Sequence, residues 1–352
     1  MAAIIYTPSA TTTTITTKAM PITATDRFTT LARQINATAN TTMSPDLTLS
    51  CQFSREFKTV FCYLLLSVGI ISILENLMFC HAVYSRRGLH KLSMALIVSL
   101  SISDIIISIF IPSIEFVFTL TFPNWPLKSF GTNIYNSMWA FSIVSPFCTL
   151  TAITFERYIA ITQKKLYDKM YTPCTIGCTI GLIWIYSCAW IIITAYTLKP
   201  IHKSRRYRWN VNHELYYTFI GLHVLIPMCI IPVLYFLIIR HVKQSRKDLA
   251  SLTTSLIHNA KSSEIKLTKT MARVVVALFG VWLPVLIVEI LYTELVFDCI
   301  IKKLDMVSVV LASSNCVLNP ILYSYKNTEI QKYLKDQKKL VYSFFCTRTD
   351  CL

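Results

Sequence analysis

The chain has 352 residues, of which 54% are apolar and only 15% charged, against about 25% charged in an ordinary soluble domain. With a mean hydropathy of +0.52 it has too little polar surface to face water all round, and 7 glycines argue against a β-rich or collagen-like chain. A disordered chain, a coiled coil and a nucleic-acid-binding globule are excluded as whole-chain readings, which leaves an all-α membrane protein; the formal charge of +16 then belongs beside the bilayer, with no nucleic-acid partner.

Residues 1–58 differ in kind from the rest. Fifteen of the first 50 are threonine, and no apolar run suited to a signal peptide precedes Thr59. Such a segment cannot bury enough surface to fold, so it reads as a disordered extracellular tail. Asn36-Ala37-Thr38 and Asn40-Thr41-Thr42 are glycosylation acceptors, whereas Asn124-Trp125-Pro126 lacks the third residue.

A membrane-spanning helix needs about 20 largely apolar residues. Seven segments within a 59–326 membrane domain qualify: about 59–84, 92–120, 130–161, 174–198, 215–239, 271–296 and 304–325. With the N-terminus outside, cytoplasmic segments and helix ends hold 21 of the 34 Lys and Arg and the outside holds 13. That asymmetry predicts a plasma-membrane protein with its N-terminus extracellular and its C-terminus cytoplasmic. The loop after span four, with Arg205, Arg206 and Arg208, runs against it.

Residues 327–352 carry Ile330, Tyr333, Leu334, Leu340, Val341, Phe344 and Phe345 near the helical period, with lysines on other faces. This predicts a short amphipathic eighth helix lying on the inner leaflet; a solvated tail helix is the plainer alternative. Cys346 and Cys351 follow it as candidate palmitoylation sites. Cys51 and Cys299 are the two cysteines expected to lie fully outside, so a disulfide between them is the natural pairing, against two free thiols.

Charges inside hydrocarbon cost at least ~2.5 kcal/mol each on insertion scales. Asp104 in span two, Asn76 in span one, and Asn315 and Asn319 in span seven can converge on one hydrated cluster, or each can find a local backbone partner. Glu156-Arg157-Tyr158 closes span three, and Glu264 opens span six at the same depth. Arg157 can pair with Glu264 across helices, or merely snorkel to the headgroups. Prolines in the spans, among them Pro227, Pro284 and Pro320, each remove a backbone bond and bend a helix. Trp282-Leu283-Pro284 and Asn319-Pro320-Ile321-Leu322-Tyr323 read as hinges.

Over roughly residues 59–345 this pattern resembles the rhodopsin-like G-protein-coupled receptors. The matching residues are Asn76, Asp104, Glu156-Arg157-Tyr158, Trp184, Pro227 with Tyr235 eight residues on, Trp282-Leu283-Pro284 and Asn319-Pro320-Ile321-Leu322-Tyr323. The resemblance implies a seven-transmembrane helix bundle that passes an extracellular ligand signal to a heterotrimeric G protein by outward movement of span six, with arrestin as a further partner. It implies that Arg157, released from Glu156 and Glu264, reaches toward the G protein while Tyr235 and Tyr323 close in behind it. Trp282 would sit under the ligand pocket, and Asp104 with Asn76, Asn315 and Asn319 would form the family's sodium and water pocket. No other cofactor is expected.

The departures are specific. Thr132 stands where a cysteine usually ends span three, so the usual outer disulfide is absent. Pro146 replaces a small hydroxyl residue of the sodium pocket, which leaves sodium an open question. Leu74-Glu75-Asn76 and the missing outer disulfide resemble the melanocortin, lysophospholipid and cannabinoid branch, and Leu89-His90 resembles its melanocortin and lysophospholipid members, but the melanocortin calcium ligands do not transfer and no metal site is predicted. Trp139 occupies the position where amine receptors carry a carboxylate, and Ser313 the position of the retinal lysine of opsins.

The candidate ligand pocket comprises Trp139, Phe116, Tyr292 and Trp282, with Glu115 and Glu289 as polar anchors. The basic outer loop favours an acidic ligand, either an anionic lipid or a peptide, whereas the two acids favour a cationic group. A peptide carrying both signs satisfies both. A transporter would show internal repeats, and none is found. No metal or nucleophile motif of an enzyme occurs, so the chain is not read as one. A non-signalling decoy receptor is the remaining alternative, and the intact Glu156-Arg157-Tyr158 argues against it.

Overall fold

A computed structural model of the chain describes residues 53–90, 92–121, 128–197, 213–249, 273, 276–291, 299–324 and 327–349. Among these residues no strand occurs. Span one is Arg55–Ser85, span two Leu92–Thr121, span three Lys128–Thr162 and span four Pro173–Thr197. Span five runs from His213–Ile220 through a π turn, Gly221–Leu225, into Ile226–Leu249. Span seven is Cys299–Ser324, and a tail helix covers Thr328–Thr349. A linker helix, Lys164–Met170, joins spans three and four. Among the described residues six helices are long and apolar enough to cross a membrane; Val276–Leu291, in span six, is a shorter apolar helix. The chain is thus a multi-pass helical bundle. The tail through Gln52, with Asn36, Asn40 and Cys51, lies outside the described residues.

Span one packs on span two, span two on span three, and span seven closes against both one and two. Span three lies at the centre, against two, four and five, and is buried along most of its length. Span four is the peripheral one, with Ile176, Ser187 and Thr194 as its buried residues. The core is aliphatic and aromatic, with Leu65, Leu100, Val144, Phe147, Ile231 and Leu278 almost fully enclosed.

Several threonine hydroxyls of span three are satisfied within their own helix. Thr149, Thr151 and Thr154 each donate to the carbonyl four residues earlier at 2.7 Å, the usual solution where no water competes. Ser54 caps span one by accepting from the Phe57 amide at 3.2 Å. Thr172 does the same for span four, accepting from Thr175 at 3.2 Å, with Pro173 at the first helical position.

The prolines shape the bundle through the bonds they cannot make. Pro112 leaves the Ser108 carbonyl without its helical donor, and Gly69 of span one sits there: a Cβ on Gly69 would lie 3.1 Å from that oxygen and 2.9 Å from Pro112 Cγ. Pro320 frees the Cys316 carbonyl, and Asn76 of span one donates to it at 2.9 Å. Before Pro227 the helix widens into the π turn, where Ile226 donates to Gly221 five residues back.

The expected helix is present in the tail, and its first residues pack on the bundle. Ile330 and Tyr333, which begin its apolar face, are only 1% and 5% exposed, and the helix packs on span one. Tyr333 Oη and His81 Nδ1 are 2.6 Å apart, and Arg86 forms an ion pair with Asp336. The start of the apolar face therefore covers protein rather than the leaflet. Periodicity marks an apolar face but cannot distinguish those two partners.

Candidate functional site

Ser72 and Asn76 of span one, Asp104 and Ser108 of span two, and Cys316 and Asn319 of span seven meet in one cluster. Asn319 Nδ2 donates to Asp104 Oδ2 at 2.9 Å, so Asp104 has an interhelical partner rather than a local one. Asn76 donates to the Ser72 and Cys316 carbonyls, both at 2.9 Å, and Ser108 donates to Ser72 Oγ at 2.7 Å. Asp104 and Asn76 are fully buried, and Asn315 and Asn319 nearly so. Asp104 Oδ1 and Asn76 Oδ1 are buried without a nitrogen or oxygen partner. Pro146 adds no donor oxygen, and Cys316 brings a thiol to the Asp104 carboxylate where an oxygen would serve a hard cation better. The orphan oxygens suit water, which can donate to both, and neither Pro146 nor Cys316 offers a hard cation a side-chain oxygen.

A cavity joins this cluster to the outer half of the bundle. Its lining includes Trp139, Ser142, Trp282, Ser313, Asn315 and Cys316. Trp282 is 3% exposed and meets Phe147 of span three edge-on, with ring centroids 5.2 Å apart. Trp139 is edge-on to Tyr135 at 6.2 Å. Two tryptophans of the candidate ligand pocket thus share one cavity with Asn315 and with Cys316, whose thiol meets Asp104 in the polar cluster. Glu115 is buried, Phe116 and Glu289 are half-buried, and none of the three lines that cavity. Tyr292 and the Arg205, Arg206 and Arg208 loop lie outside the described residues. Of the hinge prolines, Pro227 and Pro320 are buried and Pro284 faces outward.

At the inner end, Arg157 is 4% and Glu156 1% exposed. Arg157 Nε donates to Glu156 Oε2 at 2.6 Å and Nη2 to Oε1 at 2.8 Å. This is a two-pronged, charge-assisted clamp. Tyr167 of the linker helix donates to the same Oε1 at 2.8 Å, and its ring stacks on Tyr171 at 4.9 Å. Burial first, then the Glu156 charge, push the Tyr171 phenol up, with Arg157 opposing. Tyr235 is buried within reach of Thr154 and the Arg157 charge, and Tyr158 is half-buried against the core. Arg157 is no snorkelling side chain, because its charge is held inside the protein. Glu264 and the Tyr323 side chain lie outside the described residues, as do the side chains of Cys299 and Cys346, and Cys351.

Three contributors escape sequence reasoning. Tyr167 sits in a joint whose helix is set by no membrane constraint. His223, turned inward by the π turn, bonds Tyr186 of span four at 2.7 Å and the Phe219 carbonyl at 2.9 Å. Because that carbonyl can only accept, Nδ1 donates and Nε2 accepts from Tyr186. His81 gave no signal beyond being a histidine at a helix end.

The comparisons agree with this geometry. The family model of the 7 transmembrane receptor (rhodopsin family) matches residues 75–323. The chain is 26% identical over 306 residues to the histamine H2 receptor of Homo sapiens, covering 82% of each chain. It is 26% identical over 287 residues to the melatonin receptor type 1A of Gallus gallus, covering 79% of this chain and 78% of that one. A central arginine clamped at the inner end, a carboxylate bonded across to span seven, and the match across span after span lead to one assignment: the chain belongs to the rhodopsin family of seven-transmembrane receptors.

Proposed function

We propose that this receptor, oriented with its N-terminus outside, turns binding of an extracellular peptide into nucleotide exchange on a heterotrimeric G protein. The clamp of Arg157 by Glu156 and Tyr167 carries the reading. A buried, paired guanidinium at the inner end of the central helix is a restrained state, and its release frees a cation for a partner. Glu264 supplies a second restraint from span six. Trp282, wedged on Phe147 above the shared cavity, passes ligand occupancy to the polar cluster. The switch needs two states of span six that the ligand binds unequally.

The histamine named in one set of relatives does not transfer to this chain. An ammonium needs a carboxylate in span three, and buried Trp139 stands there. Glu115 at the outer end of span two, Glu289 in span six and the Arg205, Arg206 and Arg208 loop support a ligand bearing both charge signs.

The test is G-protein activation in cells expressing the full chain, at rest and against peptide and lipid libraries. A library peptide should activate the wild type, and Arg157→Ala should lose the signal while still binding that peptide. A chain that binds a library ligand yet activates no G protein is a decoy, and the proposal falls.

A further inference from the structure

Cys174 and Cys178 stand one helical turn apart at the start of span four, away from the site described above. Both are free and exposed, and their thiols are within hydrogen-bond reach of each other. Neither belongs to the hydrophobic core, in contrast to Cys62 and Cys316. The Thr172 cap and Pro173 fix where the helix begins. Cys174 therefore lies in the first turn and Cys178 about 6 Å further along the axis.

The surface beside the pair is open and apolar. A Cβ on Gly177 or Gly181 would meet nothing within 4 Å, and beyond them Leu182 and Ile185 are 67% and 69% exposed. On a peripheral membrane helix, such exposure is exposure to acyl chains. On the linker side, Lys164, Lys165 and Lys169 bring positive charge to headgroup level. The outcome is a pair of exposed thiols beside open space at Gly177 and Gly181, with exposed apolar side chains beyond.

We propose that Cys174 and Cys178 form an S-acylation site at the cytoplasmic end of span four, modified by a long-chain fatty acyl-coenzyme A through a membrane acyltransferase. The inference rests on the N-outside orientation proposed above. The cysteine sulfur forms a new thioester with the acyl carbonyl as the bond from that carbonyl to the coenzyme A sulfur breaks. The cysteine proton leaves on the coenzyme A thiol, so nothing is oxidised or reduced. The added chain runs past Gly177 and Gly181 and packs against Leu182 and Ile185. It also bears on the switch, because Tyr171, three residues before Cys174, stacks on the Tyr167 that holds Glu156. Lipid on Cys174 fixes that end of span four at headgroup depth and so steadies the stack.

The experiment is hydroxylamine-dependent thioester capture on the full chain expressed in cells. The C346S/C351S variant removes the tail cysteines and leaves the pair intact. It should still be captured, and adding C174S and C178S should reduce capture to background. No capture of C346S/C351S overturns the proposal, as does undiminished capture of the fourfold variant. A membrane-impermeant maleimide separates the two ways of failing. Labelling of the pair in intact cells puts it outside and sinks the orientation together with the proposal. No labelling in intact cells, combined with no capture, keeps the orientation and overturns acylation alone.

Discussion

The Tyr167 hydroxyl and the Arg157 guanidinium share one oxygen, Glu156 Oε1, each at 2.8 Å. The linker helix therefore adds a bond of its own to the Arg157–Glu156 pair. A hydrogen bond to a charged group contributes about 1.5–3 kcal/mol, and a shift of about 1.4 kcal/mol changes a two-state population roughly tenfold. Tyr167→Phe should raise ligand-independent nucleotide exchange several-fold, with the ring stack on Tyr171 preserved. Basal exchange equal to wild type at matched surface expression would show that the hydroxyl restrains nothing.

The tail helix offers a second contrast. Ile330 is almost fully buried against the bundle, whereas Lys338 is exposed. Buried Ile→Ala substitutions cost about 2–5 kcal/mol, so Ile330→Ala should lower the thermal unfolding temperature of detergent-solubilised receptor clearly, and Lys338→Ala hardly at all. Tyr333→Phe, which gives up the bond to His81, should fall between them. Equal effects at Ile330 and Lys338 would show that the packing of Ile330 on the bundle adds no stability.

What the sequence could reveal depended on how expensive each residue is in lipid. Asp104 and Asn319 were legible as partners because a carboxylate in hydrocarbon must be answered by something, and the amides of span seven were at hand. Arg157 and Glu156 were legible as a pair because a buried guanidinium needs an acid beside it and the structure supplies that neighbour, while Glu264 lies outside the described residues. Tyr167 was not legible: a tyrosine in a short basic joint pays no penalty that demands an explanation. The π turn before Pro227 was equally hidden, because proline reports a missing bond without saying how the helix absorbs it. Ile330 and Tyr333 were recognised as one face, but whether water-shy residues meet lipid or protein is decided by tertiary packing.

The polar cluster yields a prediction about ions. Asp104 Oδ1 and Asn76 Oδ1 are orphan oxygens, and neither Pro146 nor Cys316 offers a sodium ion a side-chain oxygen. Replacing sodium chloride with potassium chloride at equal ionic strength should leave the thermal stability of purified receptor unchanged. A stabilisation specific to sodium, lost in Asp104→Asn, would show that the residues hold the ion despite the two departures.

The bond from Asn76 to the Cys316 carbonyl permits the most discriminating test, because its reason for existing is Pro320. Position 320 is four residues after Cys316, so any residue there other than proline could donate its own amide to that carbonyl. Proline cannot, and Asn76 Nδ2 takes the place at 2.9 Å. Asn76→Ala in the native background should leave a buried carbonyl unsatisfied and cost about 1–3 kcal/mol. In a Pro320→Ala background the helix can repair itself, so the same Asn76→Ala change should cost distinctly less. The readout is a double-mutant cycle on thermal unfolding of solubilised receptor, with the coupling taken from the difference between the two Asn76→Ala effects. Coupling of about 0.5–3 kcal/mol is the range found for residues that share one interaction. Additive effects would mean that Asn76 is held in place chiefly by its bond to the Ser72 carbonyl within its own helix. The link between spans one and seven would then be incidental to the proline.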